Sequence, residues 1–460
     1  MIYKIRTANL YSCKKEMIKF IKKLIPSTDI EAFYVTLLIC LTLCFFYLSV
    51  VSPMTGMSRN FGACHDGYIQ LARNIVAGNG YVFEKGGPPV LHRPPLYPLF
   101  LIPVALFPDN LQQYIIIVPQ GILVGLIGMM IFKIARQLYN QNVGKIALLI
   151  FLINPWLYLN AKNPTTAILQ AFLYIIFAYF TVLELFNKSG LKPLQMGLII
   201  GVVGAGLALT HAAMLPLIVL LIGILFTTSL IKNQKKISTT VSAVLLMICL
   251  IAPWTYRNWI VFDRFIPVSG GAGLAYFNGN VHWLGIEAEP QKAGESYIDA
   301  SLRVLGIEGT EQTRTQWSGF KDINLEDFAN KKMIGHMKSH PILFLKKFIL
   351  NAVEYYFPAF TTPFLAIKPI TRSVAAEQWG LSIFHLFLWI TATIGIFCCP
   401  RKGLLLFFGI IIYSAWYFPF ATIIGHSLYT FGTIPFLCVI SAVGIIRITN
   451  GHRAIIGRLQ

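Results

Sequence analysis

Long apolar runs separated by short basic segments constrain this chain more than any other feature. The runs fall at 33–52, 113–133, 145–160, 164–186, 194–210, 212–230, 238–256, 379–398, 403–420 and 428–447. About 20 apolar residues cross the hydrocarbon core of a bilayer as a helix. Inside that core every backbone polar group must be satisfied within its own segment. The pattern therefore predicts an all-α polytopic membrane protein of about ten transmembrane helices. Only 12% of residues are charged and 56% are hydrophobic, where a soluble domain carries about 25% charged. The formal charge of +19 does not point to nucleic acid, because the basic residues sit between the runs. Lys133, Arg136 and Lys145, then Lys188 and Lys192, then Lys232, Lys235 and Lys236, then Arg401 and Lys402, mark inner turns. Basic residues of this kind are retained on the cytoplasmic side. Both termini are expected there, since Lys4 to Lys23 and Arg447 to Arg458 are also basic.

In chain order this gives a basic N-terminus (1–32) and a membrane core (33–256) with an outer loop at 53–112. A small mixed outer subdomain (257–341), an interfacial segment with C-terminal helices (342–447) and a cytoplasmic tail (448–460) follow. The first apolar run is read as an anchor rather than a cleaved signal. The stretch 96–107 is apolar but too short to cross, so it is expected to dip into the interface. Parity of the basic turns requires 342–367 to start and end on one side, as an interfacial or re-entrant segment. Residues 257–341 hold ten of the 19 acids. Within them Ser269–Gly273 reads as a turn, and Asn324-Leu325-Glu326-Asp327 as a capped helix start. Of eight cysteines only Cys64 falls in an outer loop. No disulfide framework, zinc spacing or EF-hand pattern is present, so neither metal nor cofactor is expected.

The outer loop carries the most informative stretch. It runs from Cys64-His65-Asp66-Gly67-Tyr68 through Leu71-Ala72-Arg73-Asn74 and Gly78-Asn79-Gly80-Tyr81 to His92-Arg93-Pro94-Pro95-Leu96-Tyr97-Pro98. Tyr68, Leu71, Ala72 and Ile75 recur at i, i+3, i+4 and i+7, which predicts a one-sided helix stopped by Gly78 and Gly80. Asp66 at its head either caps the helix or faces a site just outside the bilayer.

These motifs resemble the first outer loop of GT-C glycosyltransferases, in particular the family 39-like branch of protein O-mannosyltransferases and lipid A aminoarabinose transferases. Pro253-Trp254-Thr255-Tyr256-Arg257-Asn258 and Gly279-Asn280 resemble the same group, with an echo at Tyr429 to Ala442. The resemblance implies transfer of a sugar from a polyprenyl-phosphate carrier to a lipid, glycan or protein acceptor. It also implies a multi-pass enzyme of the bacterial inner membrane whose partners are that donor, that acceptor and the membrane lipids. Such a transfer needs a carboxylate to take the acceptor proton and cations to hold the leaving phosphate. Asp66 is the candidate base. Arg93 and Arg257 are the candidate phosphate ligands, with Lys85, Arg59 and His92 behind them. Tyr68, His92 and Tyr97 are candidate substrate-lining residues.

Each has a plainer reading. Asp66 could only cap its helix, Arg93 and Arg257 could snorkel to headgroups, and His65, His92, His211 and His426 could be solvated. Two positions depart from the family pattern. The outer turn Asn163-Pro164-Thr165-Thr166 has no carboxylate where many relatives do, and Leu428-Tyr429 stands where many have Arg-Tyr. A flippase of lipid-linked sugar and a glycan polymerase or ligase are the competing functions. A transporter would place ionisable residues inside its spans, whereas almost every Asp and Glu here falls in a loop.

Overall fold

The computed structural model describes residues 26–51, 67–186, 188, 190–232, 237–271, 299, 302–303, 306, 308, 323–342, 345, 349, 353, 356–357, 372–399, 409–410 and 430–459. Among these residues the architecture is helical, and the only β pairing is an isolated bridge between Val82 and Pro89. The helices are α1 (Asp29–Phe46), α2 (Tyr68–Val76), α3 (Leu96–Phe100), α4 (Ile102–Ala105), α5 (Asp109–Ile115) and α6 (Ile117–Leu138). They continue as α7 (Gln141–Leu152), α8 (Pro155–Ala161), α9 (Ala167–Leu185), α10 (Pro193–Thr210), α11 (Met214–Lys232) and α12 (Ile237–Phe262). The last three are α13 (Ile323–Ser339), α14 (Arg372–Cys398) and α15 (Ile434–Leu459).

Among the described residues, seven helical stretches are long and apolar enough to cross a membrane: Asp29–Val50, Asp109–Leu138, Ala167–Leu185, Pro193–Thr210, Met214–Ile231, Ile237–Phe262 and Trp379–Cys398. Two expected spans take a different form. The run at 145–160 divides into α7 and α8 around Ile153 and Asn154, and a 12-residue helix reaches only about 18 Å. The last run is apolar only over Ile434–Thr449. The expected span 403–420 lies almost entirely outside the described residues. The stretch 96–107 forms two short helices that meet at Leu101. The helix expected at Asn324 begins at Ile323, so Asn324 lies in its first turn. Glu184 is the carboxylate that departs from the loop pattern. It is buried in α9 and accepts a 2.9 Å hydrogen bond from Thr239 of α12.

Small residues set the helix packing. A Cβ on Gly201 of α10 would lie 2.7 Å from the Ala243 carbonyl oxygen of α12, and one on Gly125 of α6 would lie 2.9 Å from the Phe33 ring of α1. In a bilayer, where burying apolar surface gains little, such close backbone approach supplies the association energy.

The bundle has two chemically distinct ends. At one, Arg136 at the end of α6 pairs with Asp29 at the start of α1 at 3.0 Å, and Gln141 donates to the Ser27 carbonyl. The opposite end, where α6 begins, gathers α2 to α5, the C-terminus of α10 and the end of α12. Leu96 of α3 packs against Gly206 of α10. Arg73 of α2 donates twice to Gln112 Oε1 of α5 (2.6 and 3.1 Å) and pairs with Asp109 at 3.0 Å. Of the face expected of α2, Tyr68, Leu71 and Ala72 are buried and Ile75 is half-buried, and Ile69 is buried beside them.

Candidate functional site

Helix α2 starts at Tyr68, and the capping position is Gly67 in the left-handed region (φ 67°). An Asp cap would offer a side-chain acceptor to the first N–H groups, but glycine has none to offer. Asp66 precedes that position by one residue, so capping by the ordinary geometry is not assigned to it by the chain register. Asp66, like Arg59 and His65, lies outside the described residues. Gly67 is held from above by Phe83, whose Cδ1 would lie 2.9 Å from any Cβ placed there.

Phe83 belongs to a tight loop that folds back over α2. Gly78 and Gly80, both at positive φ, reverse the chain. The Asn74 amide then donates to the carbonyls of Val82 and Phe83 at 2.9 Å and accepts from Asn79. The Asn74 and Gly-Asn-Gly motifs thus act as a clamp that fixes the loop on its helix. Lys85 is exposed at the tip of this loop, beside Gly86 at φ 74°, and is not part of the cluster below it.

Tyr81 is the centre of that cluster. Its hydroxyl donates to the carbonyls of Arg93 and Pro94, both at 3.0 Å. Its ring meets Trp254 of α12 edge-on at 4.8 Å and lies 5.5 Å from the Arg257 guanidinium. Burial, together with Tyr68, raises the Tyr81 phenol well above its ordinary value, against the pull of Arg93 and Arg257. It therefore stays protonated and remains a donor. One side chain so joins the two segments that carry the candidate cations.

Arg257 is half-buried among aromatic rings, 4.8 Å from Trp254 and 5.2 Å from Phe262. Its Nη1 donates to the Val90 carbonyl (3.1 Å) and Asn258 Oδ1 (2.9 Å). Both partners are neutral, and no carboxylate among the described residues pairs with it. A guanidinium in this setting keeps its remaining N–H groups for an anion. It is held there by the chain that follows α12. Trp254 Nε1 donates to Val268 O, Thr255 to Pro267 O, and Asn258 to Ile266 O and Val268 O. That return segment packs on the first loop, with Gly270 against Leu91 and Gly271 against His92.

Arg93 stacks over the Tyr68 ring at 5.0 Å. Tyr68 meets Tyr97 edge-on at 5.1 Å, and Tyr97 stacks on Phe100 at 5.8 Å. Tyr97 is fully buried, so it supports Tyr68 from beneath. His92 departs from the solvated reading. It is 8% exposed and lies against Phe83. Burial, and secondarily the charge of Arg93, hold its pKa well below 6.5, which makes it neutral at pH 7.

The structure thus brings together Tyr68, His92, Arg93, Tyr97 and Arg257 and leaves Lys85 apart. The sequence reading quoted Tyr81 and Trp254 within motifs without giving them a role, and did not mention Phe83 or Phe262. Aromatics flanking an arginine at a membrane boundary were the available signal. At the departing turn, Gln120 Nε2 donates to Asn163 O (2.8 Å) and Thr165 to Asn160 Oδ1 (3.3 Å). Neutral amides therefore hold that turn, and the Lys162 ammonium lies over the Tyr47 ring. Among the described residues no group of three or more His, Cys, Asp or Glu could hold a metal ion.

A search of the curated proteins returns no match. Two solved structures are similar to this chain. One is ArnT from Cupriavidus metallidurans in the apo state, at 14% identity, covering 82% of this chain and 72% of that one with a TM-score of 0.34. The other is ArnT from Cupriavidus metallidurans bound to undecaprenyl phosphate, at 13% identity, covering 87% and 77% with a TM-score of 0.37. Residues 92–256 match the family described as dolichyl-phosphate-mannose-protein mannosyltransferase. The matched stretch takes in His92, Arg93, Tyr97 and Trp254, ends one residue before Arg257, and does not reach back to Asp66. The match spans 165 residues (256 minus 92, plus one) of the 460, about a third of the chain. That stretch is similar to the dolichyl-phosphate-mannose-protein mannosyltransferases, and the described residues are those of a helical chain with several helices long and apolar enough to cross a membrane.

Proposed function

We propose that this chain transfers a sugar from a polyprenyl-phosphate carrier to a lipid, glycan or protein acceptor at the outer face of a bacterial inner membrane. The observation that carries this reading is Arg257. It is a half-buried cation among three aromatic rings, and its hydrogen-bond partners are neutral. An anion is the ligand that such a site lacks, and Arg93 is tied to the same site through Tyr81. The end that holds both lies opposite the basic turns, where the inside rule places the outer face.

In the transfer, the acceptor oxygen attacks the anomeric carbon as its proton passes to Asp66. The bond between that carbon and the phosphate oxygen breaks, with inversion. The electron pair leaves on the polyprenyl phosphate, whose charge Arg93 and Arg257 receive. Tyr68 carries Arg93 on its ring face and lines the sugar side, and neutral His92 offers a hydrogen bond there rather than a charge. Lys85, exposed at the loop tip, stands apart from the arginines and takes no step in the transfer. Phe83, resting on Gly67, fixes the backbone next to Asp66.

The test is transfer of labelled sugar from a panel of polyprenyl-phosphate donors in membranes, wild type against Asp66→Asn. Product that disappears in a folded Asp66→Asn supports the base. Product at the wild-type rate removes Asp66 from the chemistry. If wild type makes no product from any donor yet moves labelled carrier between leaflets, the flippase reading takes its place.

A further inference from the structure

We infer that one face of α13 is a site for a soft monovalent metal ion, Cu(I), held by the imidazoles of His336 and His340 and the thioethers of Met333 and Met337. These four residues recur at i, i+3, i+4 and i+7. At 3.6 residues per turn they fall within an arc of about 100°. Helix α13 ends at Ser339, and the His340 N–H carries the turn one residue further by donating to the His336 carbonyl at 3.1 Å. The two imidazole rings lie against each other, with centroids 5.3 Å apart and planes tilted by 30°. Two histidines four apart on one helix face are a recurring metal chelate.

Burial sorts the helix in the same way. Met333, His336, Met337 and His340 are all half-buried, whereas Lys331, Lys332, Ile334, Gly335, Lys338 and Ser339 are exposed. The three lysines lie outside the arc, so none of them opposes a cation on it. Among the described residues His340 Nδ1 is shielded from solvent and has no hydrogen-bond partner. A shielded nitrogen of that kind costs free energy until something meets it. The helix is also held in place at its start. Asp327 pairs with Arg264 at 3.0 Å, Ala329 is fully buried, and Asn330 donates to the buried Glu326 at 2.9 Å. A ligand set on a fixed helix is presented with less freedom than one on a loop.

The donor set chooses the metal. Counting only His, Cys, Asp and Glu leaves a pair on this face, and the two thioethers complete a set of four. Glu326 shares the face but stands seven residues before Met333, about 10 Å along the axis, too far to join. All four donors are therefore neutral. Zinc sites draw on thiolates and carboxylates as well as imidazoles, and hard cations need oxygens. Thioether sulfur is soft and selects Cu(I), and imidazole accepts copper as well. The site stands apart from the arginines of the transfer reading and does not depend on it.

The full-length protein is placed in nanodiscs and its accessible thiols are alkylated with N-ethylmaleimide, so that cysteines do not compete. It is then titrated anaerobically with Cu(I) against a colorimetric Cu(I) chelator, and the bound copper is read by X-ray absorption. The expected result is about one equivalent withheld from the chelator, with both nitrogen and sulfur bonded to copper. Met333→Leu with Met337→Leu keeps the apolar volume and deletes both sulfurs. Even outer-shell partners change metal affinity by about 10- to 100-fold, so this pair should lower Cu(I) affinity by about a hundredfold or more. Its copper should lose the sulfur signal while the thermal unfolding transition stays in place. His336→Gln with His340→Gln should release the equivalent altogether. Failure of the wild type to withhold copper overturns the proposal. So does copper held equally tightly, or with its sulfur signal intact, in the double leucine variant, because the thioethers would then only pack. Displacement of Cu(I) by an equal concentration of Zn(II) also overturns it, since the site would then be a two-histidine site for a divalent ion.

Discussion

Replacing Arg257 separates its charge from its packing. Arg257→Ala removes a guanidinium whose Nη1 is committed to Val90 O and Asn258 Oδ1 and whose other N–H groups face the proposed phosphate. A charge-assisted hydrogen bond contributes about 1.5–3 kcal/mol, so losing the phosphate contact is expected to cost about 2–3 kcal/mol. At about 1.4 kcal/mol per tenfold, that is a Kd for polyprenyl phosphate raised roughly 30- to 150-fold. Arg257→Lys keeps a point charge but loses the planar face on Trp254, Tyr81 and Phe262, and an intermediate loss of about fivefold follows. The assay is equilibrium binding of a short-chain polyprenyl phosphate in nanodiscs, run beside the uncharged polyprenol. Only the phosphate-bearing ligand should weaken, and its salt dependence should flatten in Arg257→Ala. The substitution also leaves the buried Val90 carbonyl without this donor, at about 1–3 kcal/mol of stability, so unfolding must be measured in parallel. The reasoning is refuted if Arg257→Ala binds the phosphate as tightly as wild type. It is equally refuted if phosphate and alcohol weaken together, because the arginine would then be a packing residue.

Three further outcomes are expected. Gly67→Ala places a Cβ 2.9 Å from Phe83 Cδ1 at φ 67°, costs about 1–2 kcal/mol for the left-handed backbone alone, and should lower transfer while membrane insertion is kept; Phe83→Ala in the same chain should restore part of it. The His92 pKa is depressed in the native state, so only the unfolded chain takes up its proton as pH falls below 6.5. Stability should be flat above that value and decline below it, by up to about 1.4 kcal/mol per pH unit, and His92→Asn should remove this slope in thermal unfolding. Gly444→Ala puts a methyl group on the Thr391 carbonyl of α14, which is backbone and cannot yield, so the α14–α15 contact should open and the yield of folded protein in detergent should fall well below that of Gly223→Ala, where nothing lies within 4 Å.

Much of the fold was legible because a bilayer leaves few choices. A run of apolar residues must close its own hydrogen bonds and so must be a helix, and the basic turns orient it. Helix α2 was legible for a related reason. Its period, Tyr68 to Ile75, is local, and its stop at Gly78 and Gly80 is a backbone requirement that glycine alone meets cheaply. Breaks within an apolar run were less legible, because hydropathy is blind to them. The break falls at Asn154-Pro155, where a proline that lacks an N–H and disfavours helix in the preceding residue interrupts 145–160 without changing its apolar character.

The sequence by itself determined the class of the molecule, the number of apolar runs and the two loops that carry polar chemistry. It also marked Arg93 and Arg257 as boundary cations, because charge at a membrane edge stands out against an apolar background. Only the tertiary structure decided that the segments carrying these two arginines are joined through Tyr81. They are 164 residues apart (257 minus 93), and nothing local encodes their approach. It depends on the Tyr81 hydroxyl reaching the Arg93 and Pro94 carbonyls while its ring packs on Trp254. The same is true of His92, which a sequence reads as a polar loop residue and the fold buries beneath Phe83 and Gly271. Burial and long-range contact are properties of the assembled chain, and no local stretch of sequence encodes either.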